Sequence, residues 1–323
     1  MIPRLKLAAL PTPVEFLPRL GAYLGGLRIL IKRDDLTGVA FGGNKTRKLE
    51  LVLAEAQSVG ARTLITVGAV QSNHCRQVAA LAARMGLRCK LVLYGEPPTR
   101  PSGNLFLDRL FGAEIIWTSK EARNETLNEV FGESWAQGER PYLIPLGASN
   151  ALGAVAYTLA FDEMLQQTQS ERIDWIVVAS SSGGTQAGLV LGAHRRHFHG
   201  RILGISIDEP ERELKEVVAF LAREASDRLG KEIPIRPEDV FVNADYLGQG
   251  YGIMGEPEKE AITLFAQLEG VLLDPVYTGR AAAGLMDLAR KGFFRPGETI
   301  LFWHTGGTPA LFADIYQNRF LNE

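Results

Sequence analysis

The residue best placed for covalent chemistry lies in the stretch Phe41-Gly42-Gly43-Asn44-Lys45-Thr46-Arg47-Lys48-Leu49-Glu50. Two glycines permit a tight backbone path that a Cβ would block. Asn44 is placed to cap a helix. Leu49, Val52, Leu53 and Ala56 then recur at helical spacing up to Gly60, a natural C-terminal stop. Lys45 therefore falls where a loop becomes a helix, near the positive end of the helix dipole. An amine there holds its proton less firmly than a free lysine, which is what a Schiff-base lysine needs. The competing reading is a solvated lysine in a basic run with Arg47 and Lys48.

Four further stretches carry groups suited to a ligand. Ser180-Ser181-Ser182-Gly183-Gly184-Thr185-Gln186-Ala187-Gly188 lies between an apolar strand and an apolar helix, and its backbone N–H groups and hydroxyls suit a phosphate monoester. It has neither the Gly-x-Gly-x-x-Gly spacing of a dinucleotide loop nor the Gly-Lys-Ser/Thr ending of a P-loop, and a plain Gly-rich turn is the alternative. Gln71-Ser72-Asn73-His74 offers uncharged donors at a helix start, suited to a carboxylate or phenolate oxygen, although a simple N-cap explains it equally. His74 has no acid or metal partner in the sequence and reads as structural or as a gate. Tyr251 between two glycines and Tyr277 in a Pro/Gly-bounded turn offer hydroxyls, with aromatic packing as the other explanation. Thr305 comes after the strand ending at Trp303, and ligands of open α/β sheets bind at such strand ends.

Strands and helices alternate around these stretches. Ile29–Ile31, Thr63–Val70, Lys90–Tyr94, Ile115–Trp117, Trp175–Ala179, Ile202–Ile207 and Ile300–Trp303 read as strands, and Val78–Met85, Leu105–Phe111, Ala122–Gln137 and Leu189–Ala193 as helices. Alternation of this kind predicts parallel sheets with helices on their faces. Lys32-Arg33-Asp34-Asp35, closing the first strand, marks either the rim of a site or a strand leaving the core for solvent.

A chain of 323 residues exceeds what one core usually supports, so two domains are expected. A net charge of −2 gives no electrostatic reason for a nucleic-acid or membrane partner. Leu7–Leu10 is cut short by Pro11, which supports neither a secretory signal nor a membrane span. Cys75 and Cys89 form no Cys-x-x-Cys pair and no metal-spaced cluster, so no metal is expected and a reducing compartment, the cytoplasm, is.

With these motifs in hand, the chain resembles the tryptophan synthase β-like, fold type II pyridoxal-phosphate enzymes. Within them it is most similar to the D-cysteine desulfhydrase and 1-aminocyclopropane-1-carboxylate deaminase family. The resemblance runs from Pro11-Thr12-Pro13 to Pro309-Ala310-Leu311 and rests on Gly-Gly-Asn-Lys-x-Arg-Lys-Leu-Glu, Gln-Ser-Asn-His and Asp-Pro-Val-Tyr-Thr-Gly. It implies two open, twisted, mostly parallel sheets flanked by helices. Residues 1–47 and 157–323 would form a large cofactor-binding domain and residues 48–156 a small one. It also implies pyridoxal 5'-phosphate as cofactor, a small amino-acid substrate and a homodimer.

By the same resemblance Lys45 is the Schiff-base lysine and Asn73 the partner of the cofactor's phenolate oxygen. Ser181, Ser182, Gly183, Gly184 and Thr185 hold its phosphate, and Thr305 neighbours its pyridine nitrogen. Ser72, Asn73, His74 and Thr278 contact substrate, and Ser72, Tyr251 and Tyr277 join Lys45 in catalysis. The implied reaction is β-elimination, D-cysteine giving pyruvate, hydrogen sulphide and ammonia, with the α-proton removed by Lys45, Ser72 or Tyr277. Thr278 stands where the ring-opening deaminases carry Glu, which favours the desulfhydrase. Arg280, Met254 and Ala148 depart from the family pattern. If Arg280 and Ala148 face the substrate, they favour a β-group other than a thiol, such as the sulphonate of L-cysteate. The other readings are L-cysteate sulpho-lyase, the deaminase, and a non-catalytic cofactor-binding protein.

Overall fold

The computed structural model describes residues 2–321. Among the described residues ten strands form two sheets: β1 Val14–Phe16, β2 Arg28–Arg33, β3 Thr63–Ala69, β4 Arg88–Tyr94, β5 Glu114–Thr118, β6 Pro141–Leu143, β7 Trp175–Ser180, β8 Arg201–Ser206, β9 Phe241–Asn243 and β10 Thr299–His304. One sheet runs β1-β2-β10-β7-β8-β9, parallel except where β1 pairs antiparallel with β2. The other runs β5-β4-β3-β6 and is parallel throughout.

Eleven α-helices are described, α1 Pro18–Tyr23, α2 Asn44–Ser58, α3 Asn73–Met85, α4 Gly103–Leu110, α5 Arg123–Ala136, α6 Ala151–Gln167, α7 Gly184–Arg195, α8 Glu211–Arg228, α9 Glu256–Glu269, α10 Thr278–Arg290 and α11 Asp314–Leu321. No helix among the described residues is long and apolar enough to cross a membrane.

The two-residue period of a strand distributes its side chains between cores. On β7, Ile176 and Val178 join a cluster that also contains Leu64 and Leu91 of the second sheet and Leu49, Val52, Tyr157 and Phe161 of α2 and α6. This cluster lies between the sheets. Trp175, Val177 and Ala179 enter a second cluster with Phe265, Leu285 and Phe302 on the other face. Ile65, Val67 and Val92 pack with Leu127 and Val130 of α5 on the outer face of the smaller sheet.

Two sequence expectations need correction here. Asn44 does not cap α2. It is the first helical residue, Gly43 occupies the capping position, and the Asn44 amide instead donates to Thr185 Oγ1 at 3.0 Å. The charged end of β2 neither rims the site nor escapes to solvent. Lys32 and Asp34 are fully buried in an ion network: Lys32 Nζ lies 2.6 Å from Glu163, and Arg47 bridges Asp34 and Glu163 at 2.8 Å each.

Candidate active site

The C-terminal ends of strands from both sheets converge on one cavity lined by Lys45, Ser72, Asn73, His74, Ser181, Ser182, Gly183, Thr185, Tyr251, Tyr277 and Thr305. The chain reaches Lys45 through Gly42 and Gly43, with φ of +64° and +126°. A Cβ at Gly42 would lie 2.0 Å from the Asp35 carbonyl oxygen, so only glycine fits. The Gly42 carbonyl accepts from Arg76 and Gln77 at 2.8 Å each, and the Asn44 N–H donates to the Thr305 carbonyl at 2.9 Å. The lysine's backbone is thereby tied to α3 and to the end of β10.

Burial lowers the Lys45 amine to about 8 and outweighs a hydrogen bond with Lys48 that acts in the opposite sense. Lys48 is fully buried beside it and lowered well below the ordinary value, by burial first and then by the charge of Lys45. Its amine sits 3.2 Å from both the Gly147 carbonyl and Ser149 Oγ. Two amines this close, one of them fully buried, share one charge more readily than they hold two.

Ser72 caps α3, its Oγ accepting from the Cys75 N–H at 3.1 Å, which leaves the hydroxyl hydrogen available. Asn73 Oδ1 accepts from Arg76 at 3.2 Å and from Asn104 at 2.8 Å, leaving its NH₂ group to donate into the cavity. Thr66 gives its hydroxyl hydrogen to the Ile144 carbonyl at 2.8 Å, so in the 2.9 Å contact with His74 the Nε2–H is the donor. His74 Nδ1 then carries a lone pair with no partner. Burial, followed by the charges of Lys45 and Lys48, holds this imidazole well below its usual pKa and therefore neutral.

The phosphate-suited loop comes directly after β7. Gly183 takes a left-handed conformation, φ +75°, immediately before α7. A Cβ on Gly184 would come within 2.7 Å of Ser149 Oγ and 3.0 Å of Lys48 Nζ, so a glycine keeps this cradle open although Gly184 itself stands behind the lining. Ser182 and Ser149 hydroxyls lie 2.7 Å apart.

The tyrosine pair offers protons where the lysines offer amines. Tyr251 and Tyr277 hydroxyls are 2.7 Å apart with rings edge to face, and burial raises both well above the ordinary phenol value. Asp274 shapes the turn that presents Tyr277. Its two carboxylate oxygens accept from the backbone N–H groups of Val276, Tyr277 and Thr278 at 2.7 to 3.1 Å.

Besides Gly184, three more sequence-derived positions, Thr278, Arg280 and Ala148, stand off the cavity wall. Thr278 is fully buried, and its hydroxyl accepts from the Asp274 N–H and donates to the Asp274 carboxylate, both at 2.7 Å. It closes the turn instead of facing the ligand space. Arg280 is 1% exposed and bonds to Glu258 at 2.8 Å and to the carbonyls of Ile207, Gly250 and Ile253. Ala148 is packed into the core between the sheets. Neither Arg280 nor Ala148 faces the substrate space, so neither argues for a sulphonate substrate.

Sequence reading missed Lys48, Tyr94 and Asp208 as site residues. Tyr94 and Asp208 obey the same rule that located Thr305, since they stand at the ends of β4 and β8. Lys48 was readable as one helical turn from Lys45.

A cavity at the strand ends of paired α/β sheets, with a half-buried lysine near a hydroxyl-rich loop at a helix start, suits a phosphate-bearing cofactor. Residues 5–306 match the family model described as pyridoxal-phosphate dependent enzyme, and the chain belongs to that family; its cofactor is pyridoxal phosphate. The D-cysteine desulfhydrases of Salmonella typhi and Salmonella enteritidis PT4 are each 44% identical to it, with 96% of both chains covered. A crystal structure described as an ACC deaminase homologue superposes with a TM-score of 0.90 at 38% identity, covering 99% of this chain and 96% of the other. O-ureido-L-serine synthase, at 15% identity and a TM-score of 0.67, shares the fold.

Proposed function

We propose that this chain catalyses β-elimination from a small amino acid, D-cysteine first, acting as a carbon–sulphur lyase that releases pyruvate, hydrogen sulphide and ammonia. The observation that carries the reading is the Lys45 amine, lowered to about 8, in one cavity with Ser72 and the hydrogen-bonded Tyr251–Tyr277 pair. The shared name of relatives 44% identical over almost their whole length supports the substrate.

The residues present suit the cofactor. Ser181, Ser182, Thr185 and the start of α7 would hold its phosphate, with the Lys48 amine as the neighbouring cation once a dianion is bound. The Asn73 NH₂ group would donate to its phenolate oxygen, and Thr305 would meet its ring nitrogen with a hydroxyl. When bound, the cofactor supplies the electron sink that lets the Cα–H bond release a proton.

The chain's own groups do the rest. Lys45, largely neutral at mildly alkaline pH, is nucleophile and then base; Ser72 and the first N–H groups of α3 bind the α-carboxylate. Tyr251 and Tyr277, protonated throughout the neutral range, donate toward the departing β-group. The overall change consumes one water per D-cysteine: the C–S bond breaks, sulphur leaves with a proton, and the α-carbon exchanges nitrogen for oxygen.

The reading carries with it the division into residues 1–47 with 157–323 and residues 48–156. The smaller sheet lies wholly within the second of these, which supports it. It also carries a homodimer and the cytoplasm; both cysteines are free and buried, as a reducing compartment allows.

The test is the absorption spectrum of the reconstituted protein before and after borohydride, with peptide mass and product assays alongside. A visible band bleached by borohydride with the pyridoxyl mass on Lys45, and sulphide from D-cysteine, is the expected result. Sulphite from L-cysteate or 2-oxobutanoate from the cyclopropane amino acid would select a sister reaction. A coloured protein inert to all three would be a cofactor binder only, and a label on Lys48 would overturn the assignment of the anchor.

A further inference from the structure

Asp208 stands two residues beyond β8 and lines the cavity with Ser181, Tyr94, Tyr251 and Tyr277. Its Oδ1 is shut off from solvent and has no hydrogen-bond partner. A buried carboxylate oxygen without a donor is costly to maintain, and where it borders a ligand space it acts on the ligand. Its charge reaches the reacting region, since it contributes to raising both Tyr251 and Tyr277.

Among the described residues no cation pairs with it; Lys120, Arg280 and Arg123 act on it only through their charge. Burial raises the Asp208 carboxyl, while the Ser181 hydroxyl and the charges of Lys120, Arg280 and Arg123 pull the other way without reversing the shift. Arg280 is committed to Glu258 and three carbonyls, Arg123 lies over the Tyr94 ring and donates to the Lys120 carbonyl, and Lys120 is exposed. Glu209, next in the chain and exposed, adds a second negative charge at this strand end.

In the proposed β-elimination, the α-carboxylate goes to Ser72 and α3, and the α-amine to the lysine side of the cavity. The wall left for the β-substituent is the one made by the tyrosine pair and Asp208. We propose that Asp208 sets the charge selectivity of this wall, excluding substrates whose β-substituent is anionic and admitting neutral ones such as a thiol. An anion placed there must either face a carboxylate in a poorly screened space or force it to take up a proton, and both cost binding. Selectivity of this kind is negative, built from a repulsive element instead of an added contact. The proposal rests on the β-elimination reading and makes sulphonates and carboxylates poor ligands.

Asparagine and aspartate test it, because they match in size, differ in β-charge, and have no good β-leaving group. Their dissociation constants for the cofactor-loaded enzyme are measured by calorimetry and by the change in the visible spectrum, in whichever hand binds more tightly. The wild type is expected to bind asparagine at least about tenfold more tightly than aspartate, and Asp208→Asn to bring the two within about threefold by strengthening aspartate. Asp208→Ser, smaller and equally neutral, gives the same reading if the first variant does not fold. An unchanged ratio in the variants, a wild type with no preference or one favouring aspartate, or no measurable asparagine binding overturns the proposal. Sulphide release from D-cysteine is monitored in parallel. Its absence would remove the proposed reaction while the asparagine-to-aspartate ratio still reports on Asp208.

Discussion

Lys45 is held near 8 by burial, so at neutral pH about a tenth of it is the free amine, some three-hundred-fold more than for an ordinary lysine. Attachment of pyridoxal phosphate to the cofactor-free protein should therefore speed up with pH and level off above a half-point near 8; a half-point near 10.5 would mean the amine is solvated. Lys45→Ala should lose the borohydride-sensitive band and about 10²- to 10⁴-fold in kcat. The tyrosine pair makes a different demand. Tyr277→Phe leaves the Tyr251 hydroxyl without its 2.7 Å partner, an uncompensated loss of about 1–3 kcal/mol. If the pair serves the departing group, the loss falls on kcat, by about tenfold or more, with KM little changed; an effect confined to KM would assign the pair to binding alone.

Tyr251 is only as well placed as its loop, and Arg280 of α10 holds that loop by the carbonyls of Gly250 and Ile253. The same guanidinium takes the Ile207 carbonyl at the end of β8, so one side chain ties together two segments of the cavity wall. Arg280→Met should leave Glu258 buried without its partner and lower stability by about 3–5 kcal/mol in urea unfolding. Arg280→Lys, which keeps the charge, should recover part of that stability while kcat stays depressed, because a single ammonium cannot span three carbonyls and a carboxylate. Full recovery of both would show that only the charge matters. This element also shows where sequence reading stops. The Asp-Pro-Val-Tyr-Thr-Gly stretch was visible as a turn, but its pattern did not reveal that Asp274 uses Thr278 to close the turn. Nor did it reveal that Arg280 points away from the ligand, because both depend on partners far along the chain. Short-range signals fared better: the tight path at Gly42 and Gly43, the Ser72 cap and the strand–loop–helix order around the Ser/Gly stretch after β7 act within a few residues, and the structure shows these local forms.

Alternating apolar strands and helices fixed the fold class, because burial on both faces gives parallel strands their continuous apolar runs. The three-residue strands β1 and β9 are too short to carry a pattern, and α6, buried on most sides, lacks a polar face; the helical spacing of Leu214, Val218, Leu221 and Ala225 in α8 was legible and was passed over. What ties the distant segments of the larger sheet's side together is least legible of all. The Asp34 carboxylate accepts from Thr12, Arg47, Tyr157 and Trp303 at 2.5 to 3.0 Å, bringing together the N-terminal arm, α2, α6 and β10 around one buried anion. Burial alone would raise this carboxyl; Arg47, Tyr157 and Lys32 outweigh it and the net shift is downward, as it is for Glu163 beside Arg47 and Lys32. A carboxyl lowered on folding contributes stability that is complete above its unfolded pKa and disappears as pH falls through the folded one. Asp34→Asn should thus cost about 3–5 kcal/mol at pH 7, since Arg47 and Lys32 remain buried with a single carboxylate between them. The gap in urea midpoint between wild type and variant should hold from pH 7 to about 5 and close on further acidification. Two midpoints falling in parallel down to pH 3 would show that Asp34 does not tie the N-terminal arm, α2, α6 and β10 together by charge.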